Sequence, residues 1–350
     1  MTWNGAALEF ARRDAGLTHT ELIEAIGWTV QIATISRYEN EARTPTPEQV
    51  SEFASFFGVT TKYFEYPEAP HGALATEAHM RRQATERPVI WGRVEARLVT
   101  FRRHLAMLMR HTNFRPTYFV PRYDPIDVEP EEAARRVRAQ WRVPIGPIES
   151  MIRTLEAAGC LVIEEDFGTR RIDGMSIWGA SWPVIYLNSA MPADRKRLTL
   201  AHELAHLVLH DNFPVEDPEL DANRFAAEFL MPESTIKPLL KQTPLTLANL
   251  ASLKTEWKVS MQAIFERAFA LSLVTTDDRR KFYIAMNRKG WKVKEPNEAY
   301  VVEPEPRLIK AVIDSMQSAG YSEKEVKELA GYDELPEAFG VNSRRLRALN

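Results

Sequence analysis

Two histidines four residues apart, with a glutamate directly after the first, stand in the segment 197–212, RLTLAHELAHLVLHDN. On a helix, His202 and His206 project from one face, so two imidazoles can reach one metal ion. Glu203 can hold a metal-bound water without occupying a coordination position. Zinc lowers the pKa of such water toward about 7, and a neighbouring carboxylate can take its proton during attack on a carbonyl. The spacing therefore favours zinc-dependent hydrolysis over two structural histidines on a buried helix.

A hydrolytic zinc site also needs a third protein ligand and one open position. The downstream segment EDPELDANRFAAEFLMPE offers several carboxylates. Asp217 followed by Pro218 predicts the N-cap and first residue of a second helix, which Pro232 would end. Glu219 then lies in its first turn and is the predicted third ligand, while Asn223, one turn later, would hydrogen-bond a ligand histidine. The competing third ligands are Asp221, His210 and Asp217.

The elements that must position these groups are mostly helical. Apolar periodicity predicts a long amphipathic helix from Pro88 to about Thr112 through Val94, Leu98, Phe101, Leu105 and Leu108. Further helices are predicted over 130–142 and 148–158, the second closed by Gly159. Residues 194–272 are again mainly helical, and the tail is predicted to contain a short FYIAM strand, a Gly-Trp turn and a helix near 306–319.

Short apolar runs predict three strands between these helices, at 160–163, 175–178 and 184–187. The last of them, PVIYLN (183–188), leads directly into the histidine segment. It could pair with an extended peptide substrate by strand addition, or it could lie inside the sheet. The sequence does not assign a donor that stabilises a transition-state oxyanion; Tyr186 and His210 are candidates.

Residues 6–66 predict a compact helical domain. Leu17 followed by THTELIEAIG predicts a short helix that Gly27 ends, and Thr29 could cap the next helix, which would run to about Asn40. A small apolar set would form the core of this domain: Leu22, Ile26, Ile35 and Tyr38.

Composition sets broad limits on the protein class. The chain has 350 residues, a net charge of −3 and a single cysteine, Cys160, so neither a disulfide nor a cysteine-rich zinc site is expected. The first residues do not have the pattern of a secretory signal, and no stretch approaches the ~20 apolar residues that span a bilayer. We therefore expect two or three domains in a soluble, cytoplasmic protein without a membrane partner.

The segments LTLAHELAHLVLH and ExxANRFAAEFLMP resemble the ImmA/IrrE family of metallopeptidases, and the likeness extends over roughly 145–275. The resemblance implies a zincin-like domain that binds Zn²⁺, with Mn²⁺ as an alternative in vitro. It also implies that Glu219, four residues before the Asn, is the third ligand. Family members typically cleave a repressor or antirepressor-like partner, often after a stress signal.

Residues 6–66 resemble the Xre/Cro-type helix-turn-helix domain, most clearly at ATISRYEN and at the following PTPEQV helix start. On this resemblance, Gln31, Ile32, Ala33 and Arg37 lie where the recognition helix faces the major groove. Gln31 could bond base edges, and Arg37 could reach a phosphate or guanine. Because such domains usually bind two half-sites as dimers, a homodimer on double-stranded DNA is implied.

Charge gives conflicting indications about DNA. Residues 1–66 hold five Lys/Arg against nine Asp/Glu, which handicaps phosphate binding. Asn40-Glu41 must also take the turn where the family often places glycine. Residues 81–115, in contrast, hold nine Arg against two Glu and could add phosphate contacts, or could form a solvated helix face. A protein-docking or dimerisation role for the domain is the alternative.

Together these patterns predict an α+β, mostly helical fold in four parts. The first two parts are a five-helix helix-turn-helix domain (1–66) and a linker with a basic long helix (67–129). The other two are a peptidase domain with a small sheet and the HExxH helix (130–275), and a small mixed α+β region that could sense a signal (276–350).

The predicted function is a zinc metalloendopeptidase that regulates transcription by cleaving a repressor or antitoxin partner, with its own DNA-binding domain. The alternative is an Xre-type regulator or antitoxin whose peptidase fold is a sensor or docking module with little turnover. Self-cleavage within 67–90 is a third hypothesis.

Overall fold

A computed structural model describes residues 3–67, 88–179, 181–210, 215–292, 294–297 and 300–340. These residues form a mostly helical α+β fold with one three-stranded sheet, as predicted. Most of the predicted linker and of the predicted self-cleavage segment lies outside the described residues, as does the tail after 340. None of the described helices combines the length and the apolar composition that a membrane crossing requires.

Five helices open the chain and confirm the predicted N-terminal domain: α1 (Gly5–Asp14), α2 (His19–Ile26), α3 (Ile32–Glu39), α4 (Pro47–Phe57) and α5 (Thr61–Glu65). Gly27 ends α2 in the left-handed conformation, as expected. The predicted cap of α3 at Thr29 was wrong, because α3 begins three residues later with Gln31 at its N-cap. Glu41 takes the left-handed turn after α3, with φ 62°, and its carboxylate accepts a 3.0 Å hydrogen bond from the amide of Gly5.

Helix α6 (Pro88–Met109) joins this domain to the rest of the protein. Its five predicted apolar positions are buried in one core with α1, the sheet and the C-terminal helices. Two arginines of the basic stretch, Arg97 and the buried Arg103, bind groups of other elements. Arg97 pairs with Asp14 at 3.1 Å and with Glu165 at 3.0 Å, and Arg103 donates to the backbone oxygen of Tyr63 at 2.8 Å. These two arginines therefore hold elements of the protein together, and Arg103 is not part of a solvated face.

The sheet follows two helices, α7 (Pro130–Gln140) and α8 (Met151–Ala157). Helix α8 begins at Met151 and not at the predicted Ile148, because the side chain of Ser150 caps it by accepting from the amide of Arg153. The three predicted strands are confirmed as β1 (Leu161–Glu165), β2 (Gly174–Trp178) and β3 (Pro183–Asn188).

Strand β3 lies in the centre of the sheet, parallel to β1 and antiparallel to β2. Both edges of β3 are therefore paired, so of the two alternatives for PVIYLN the structure bears out the interior strand and not strand addition of a substrate. Alternation along each strand puts Val162 and Ile185 in the core of the histidine-bearing domain. Ile163 and Tyr186 point to the opposite face, into the core that contains α6.

Helix α9 (Ala193–Ala205) carries the HExxH motif and passes into one π-helical turn over His206–His210. Helix α10 (Pro218–Leu230) packs alongside α9, and three further helices complete this core: α11 (Glu233–Gln242), α12 (Leu247–Trp257) and α13 (Met261–Ala270).

Helix α14 (Thr276–Lys289) replaces the predicted FYIAM strand, which was wrong. A capping box between Thr275 and Asp278 starts the helix. Phe282 and Met286 are four residues apart and buried, while Ile284 between them is 48% exposed, a pattern typical of a helix. The apolar pattern in FYIAM was too short to distinguish the period of a helix from that of a strand.

The C-terminal part contains α15 (Leu308–Ser318), close to the helix predicted near 306–319, then α16 (Glu323–Ala330) and a 3₁₀ turn over Glu337–Phe339. A β-bridge joins Tyr332 to Val59 of the N-terminal domain. The rest of the described part of 276–340 consists of helices, turns and irregular segments, so the predicted mixed α+β character is reduced to this bridge. These helices, the N-terminal domain and one face of the sheet share a single core.

Candidate metal centre

Helices α9 and α10 bring two imidazoles and a carboxylate together. The Nε2 atoms of His202 and His206 are 3.0 Å apart. One oxygen of Glu219 lies 3.4 Å from the first Nε2, and the other lies 3.6 Å from the second. Of the residues that the structure describes, these three form the group whose donor atoms could hold a metal ion.

The first turn of α10 places Glu219. Asp217 is the N-cap residue, and its side chain accepts a 3.2 Å hydrogen bond from the amide of Leu220. Pro218 follows at the first helical position, as the sequence predicted. Phe225 and Phe229 on the same helix are fully buried against the histidine-bearing core. The start of the helix is therefore held in place at both its cap and its packing face.

Each imidazole is also held through its second ring nitrogen. His202 Nδ1 lies 3.2 Å from Asn223 Oδ1, and His206 Nδ1 lies 2.8 Å from Nδ1 of His210. Both Nε2 atoms consequently face the shared centre. Burial alone would lower the pKa of His202, but hydrogen bonding and charge from Glu219, with the nearby Glu203 carboxylate, hold this pKa above its ordinary value.

This set of donors fits a zinc ion. Zinc bonds to nitrogen and oxygen of about 2.0–2.1 Å imply about 3.3 Å between neighbouring ligands of a tetrahedral site, close to the observed 3.0, 3.4 and 3.6 Å. The amide oxygen of Asn223 accepts the proton of His202 Nδ1, so in the neutral ring Nε2 offers its lone pair to the shared centre. A cation at that centre would accept this lone pair.

Glu203 stands beside the two histidines and is only 1% exposed. The hydroxyl of Ser176 on β2 donates to its Oε2 at 2.7 Å. Gly174 on the same strand allows the close approach, since a Cβ there would lie 2.9 Å from Thr199 Cγ2 and 3.5 Å from Glu203 Cγ. Sequence reasoning missed Ser176; the only signal was a hydroxyl inside an otherwise apolar strand.

A cleft opens over this centre. Its lining combines the start of β2 with the facing turns of α9 and α10: Arg171, Asp173, Gly174, Leu198, Thr199, His202, Glu203, Glu219 and Asn223. Within the described residues, β2 pairs on one side only, with β3. The outer edge of β2 therefore borders the cleft, where a peptide backbone could add to the sheet.

The other predicted candidates lie elsewhere. Asp217 caps α10, and Asp221 Oδ2 is 4.0 Å from His210 Nε2, so neither belongs to the three-residue group. Tyr186 donates to Glu165 at 2.7 Å on the far face of the sheet, which rules it out as an oxyanion donor. His210 is buried behind His206 and does not line the cleft.

Two buried ion networks fix the N-terminal half of α9. Lys254 contacts Asp194 at 2.6 Å and Glu295 at 3.0 Å, all within the interior. Arg197, with no exposed side-chain surface, pairs with Glu303. The segment after α14 is thereby tied to the helix that carries the HExxH motif.

The predicted DNA-facing residues share one exposed side of α3. Gln31, Ile32, Ala33 and Arg37 are exposed, and Ile32 reaches 52%. The remaining face of α3 is buried through Ile35 and Tyr38, which belong to the core of the domain. The structure therefore leaves this row of side chains accessible to a ligand.

Two protein-family models match parts of the chain. Residues 155–269 match the family model described as the IrrE N-terminal-like domain, a peptidase family, and residues 8–64 match a helix-turn-helix family model. The chain is therefore similar to a helix-turn-helix domain over 8–64 and to an IrrE-like peptidase domain over 155–269. No curated protein sequence gives a significant match. The segment matched by the IrrE model contains every residue of the candidate metal centre, together with Glu203 and Ser176.

Proposed function

We propose that this chain is a zinc-dependent endopeptidase that regulates transcription. The observation that carries the proposal is the convergence of His202, His206 and Glu219 beside the buried carboxylate of Glu203. The match to an IrrE-like peptidase family supports it. His202, His206 and Glu219 are the proposed ligands, Glu203 is the proposed catalytic base, and Asn223 orients His202.

The chemistry divides between the cation and the protein. A zinc ion held by the three ligands would activate water and polarise the carbonyl of the scissile peptide bond. Glu203 accepts a proton from the attacking water while the water oxygen bonds to the carbonyl carbon. Glu203 then returns the proton to the amide nitrogen, the carbon–nitrogen bond breaks, and a carboxylic acid and an amine are released. Ser176 holds one carboxylate oxygen of Glu203, so the other oxygen is available to the water.

The substrate is a protein segment in extended form. The outer edge of β2 borders the cleft and offers backbone groups to such a segment. Arg171 lines the same cleft and brings a positive charge toward the developing oxyanion. The proposed partner is a repressor or antitoxin, in keeping with the helix-turn-helix domain on the same chain.

The helix-turn-helix domain supplies the link to DNA. The protein binds an operator as a homodimer. In each copy, bases and phosphates are contacted by the exposed residues of α3: Gln31, Ile32, Ala33 and Arg37. Because the proposed target is DNA, the proposed location of the protein is the cytoplasm. The acidic balance of residues 1–66 limits nonspecific affinity, so sequence-specific contacts from α3 must carry much of the binding.

A peptide library digested with zinc- or manganese-loaded protein tests the proposal, with products read by mass spectrometry. Glu203→Gln should lower cleavage about 10²–10⁴-fold, as expected for loss of a general base, while zinc content stays at the wild-type level. Glu233→Gln, an exposed acid on α11, is the matched control and should leave cleavage unchanged. If wild type and Glu203→Gln give the same products, the peptidase proposal is wrong. Regulation in cells that survives Glu203→Gln would favour the docking-module alternative.

A further inference from the structure

His210 stands directly behind His206 in the π-helical turn that follows α9. It is 5% exposed, and its ring centroid lies 5.0 Å from that of His206. The Nδ1 atoms of the two rings are 2.8 Å apart, a hydrogen-bond distance. His210 therefore contacts the side of His206 that faces away from the candidate metal centre.

The direction of this hydrogen bond follows from the role of His206. If Nε2 of His206 offers its lone pair to a cation, the ring proton must be on Nδ1, and Nδ1 donates to His210. His210 must then accept at Nδ1 and carry its own proton on Nε2. That Nε2 points toward Asp221, whose Oδ2 is 4.0 Å away.

Helix α10 supplies three side chains to this arrangement. Glu219 faces the centre, Asn223 contacts the Nδ1 of His202, and Asp221 faces His210. Arg224 lies 3.7 Å from the other oxygen of Asp221. At 4.0 Å, the Asp221 carboxylate acts on His210 mainly through its charge, which favours the tautomer with the proton on Nε2.

We infer that His210, with Asp221 behind it, is a positioning residue that fixes the tautomer and ring orientation of His206 for binding a divalent cation. This inference rests on the proposed function, because it assumes that His206 is a ligand. It gives His210 a role different from the third ligand or oxyanion donor considered from the sequence. A π turn is common at functional sites, and here it carries the pair of histidines.

Zinc affinity of the full-length protein, measured by competition with a chromophoric chelator, tests the inference. His210→Phe keeps a ring but removes the acceptor for His206 Nδ1, and zinc affinity should fall about 10–100-fold. His210→Gln places an amide oxygen in reach of the same proton and should restore most of the affinity. Asp221→Asn removes the charge behind His210 and should cause a smaller loss than His210→Phe.

Controls separate positioning from folding. His111→Gln removes an exposed imidazole that is not part of the candidate metal centre, and it should leave zinc affinity unchanged. A purely structural role would lower the thermal midpoint of the metal-free protein in both His210 variants without changing affinity, and that result would overturn the inference. Equal loss in His210→Phe and His210→Gln would also overturn it. Absence of zinc binding in the wild-type protein would instead refute the proposed function itself.

Discussion

The buried pair between Arg197 and Glu303 gives a quantitative prediction about how the HExxH helix is held. Glu303 also accepts hydrogen bonds from the amides of Met151 and Ile152, at 3.0 and 3.2 Å, and from Ser150 at 2.9 Å. Glu303 therefore neutralises Arg197 and caps the start of α8 at the same time.

Glu303→Gln keeps the size of the side chain but leaves the Arg197 guanidinium buried without a counter-charge. The side chains of the pair are 0% and 2% exposed. Burial already lowers the pKa of Arg197, which indicates how costly its charge is at this position. Removing one partner of such a pair costs about 3–5 kcal/mol, and we expect a loss of this size in the free energy of unfolding.

Urea unfolding followed by circular dichroism measures the effect, with the slope of the transition checked for constancy. Asp314→Asn is the matched control, because it breaks the exposed pair with Lys310 on α15 and should cost less than about 0.5 kcal/mol. Arg197→Met combined with Glu303→Gln should cost less than the sum of the two single changes. A loss for Glu303→Gln no larger than that for Asp314→Asn would refute the reasoning.

Three further predictions concern other parts of the molecule. Burial lowers the pKa of His104 to about 3, so between pH 3 and 6.5 this residue binds a proton in the unfolded chain but not in the folded one. The contribution of His104 to stability should therefore fall by about 1.4 kcal/mol per pH unit on acidification through that window, and urea midpoints of His104→Phe should show a weaker dependence on pH. Ser176→Ala should lower peptide cleavage about 10–100-fold through its lost bond to a charged group, with unchanged zinc affinity; an unchanged rate would contradict the assigned contact. Arg37→Ala should weaken binding to a DNA site selected from a random pool by about 1–3 kcal/mol, measured by fluorescence anisotropy, whereas Arg288→Ala should not.

Local signals predicted much of the fold. The capping residues Asp217 and Gly27 mark helix ends because side-chain and left-handed backbone preferences act over one turn. The apolar stripe of α6 was readable because its burial repeats with the helical period. The proximity of Glu219 to His202 followed from the predicted helix start and from the family resemblance.

Features that depend on distant partners could not be read in the same way. The central position of β3 depends on β2 pairing with it from the other side, which no local pattern reports. The same holds for Ser176, whose role appears only when β2 lies against α9. The ion pairs of Arg97 needed Asp14 and Glu165 from two other elements, so a helix face rich in arginine gave no indication of them.

Zinc stoichiometry of the purified protein tests the central claim most directly. After loading and removal of excess metal, elemental analysis should give about one zinc per chain for wild type and for Glu203→Gln. The content should fall sharply in His202→Ala, His206→Ala and Glu219→Ala. Wild-type protein that retains no zinc, or ligand variants that retain as much as wild type, would contradict the proposed metal centre.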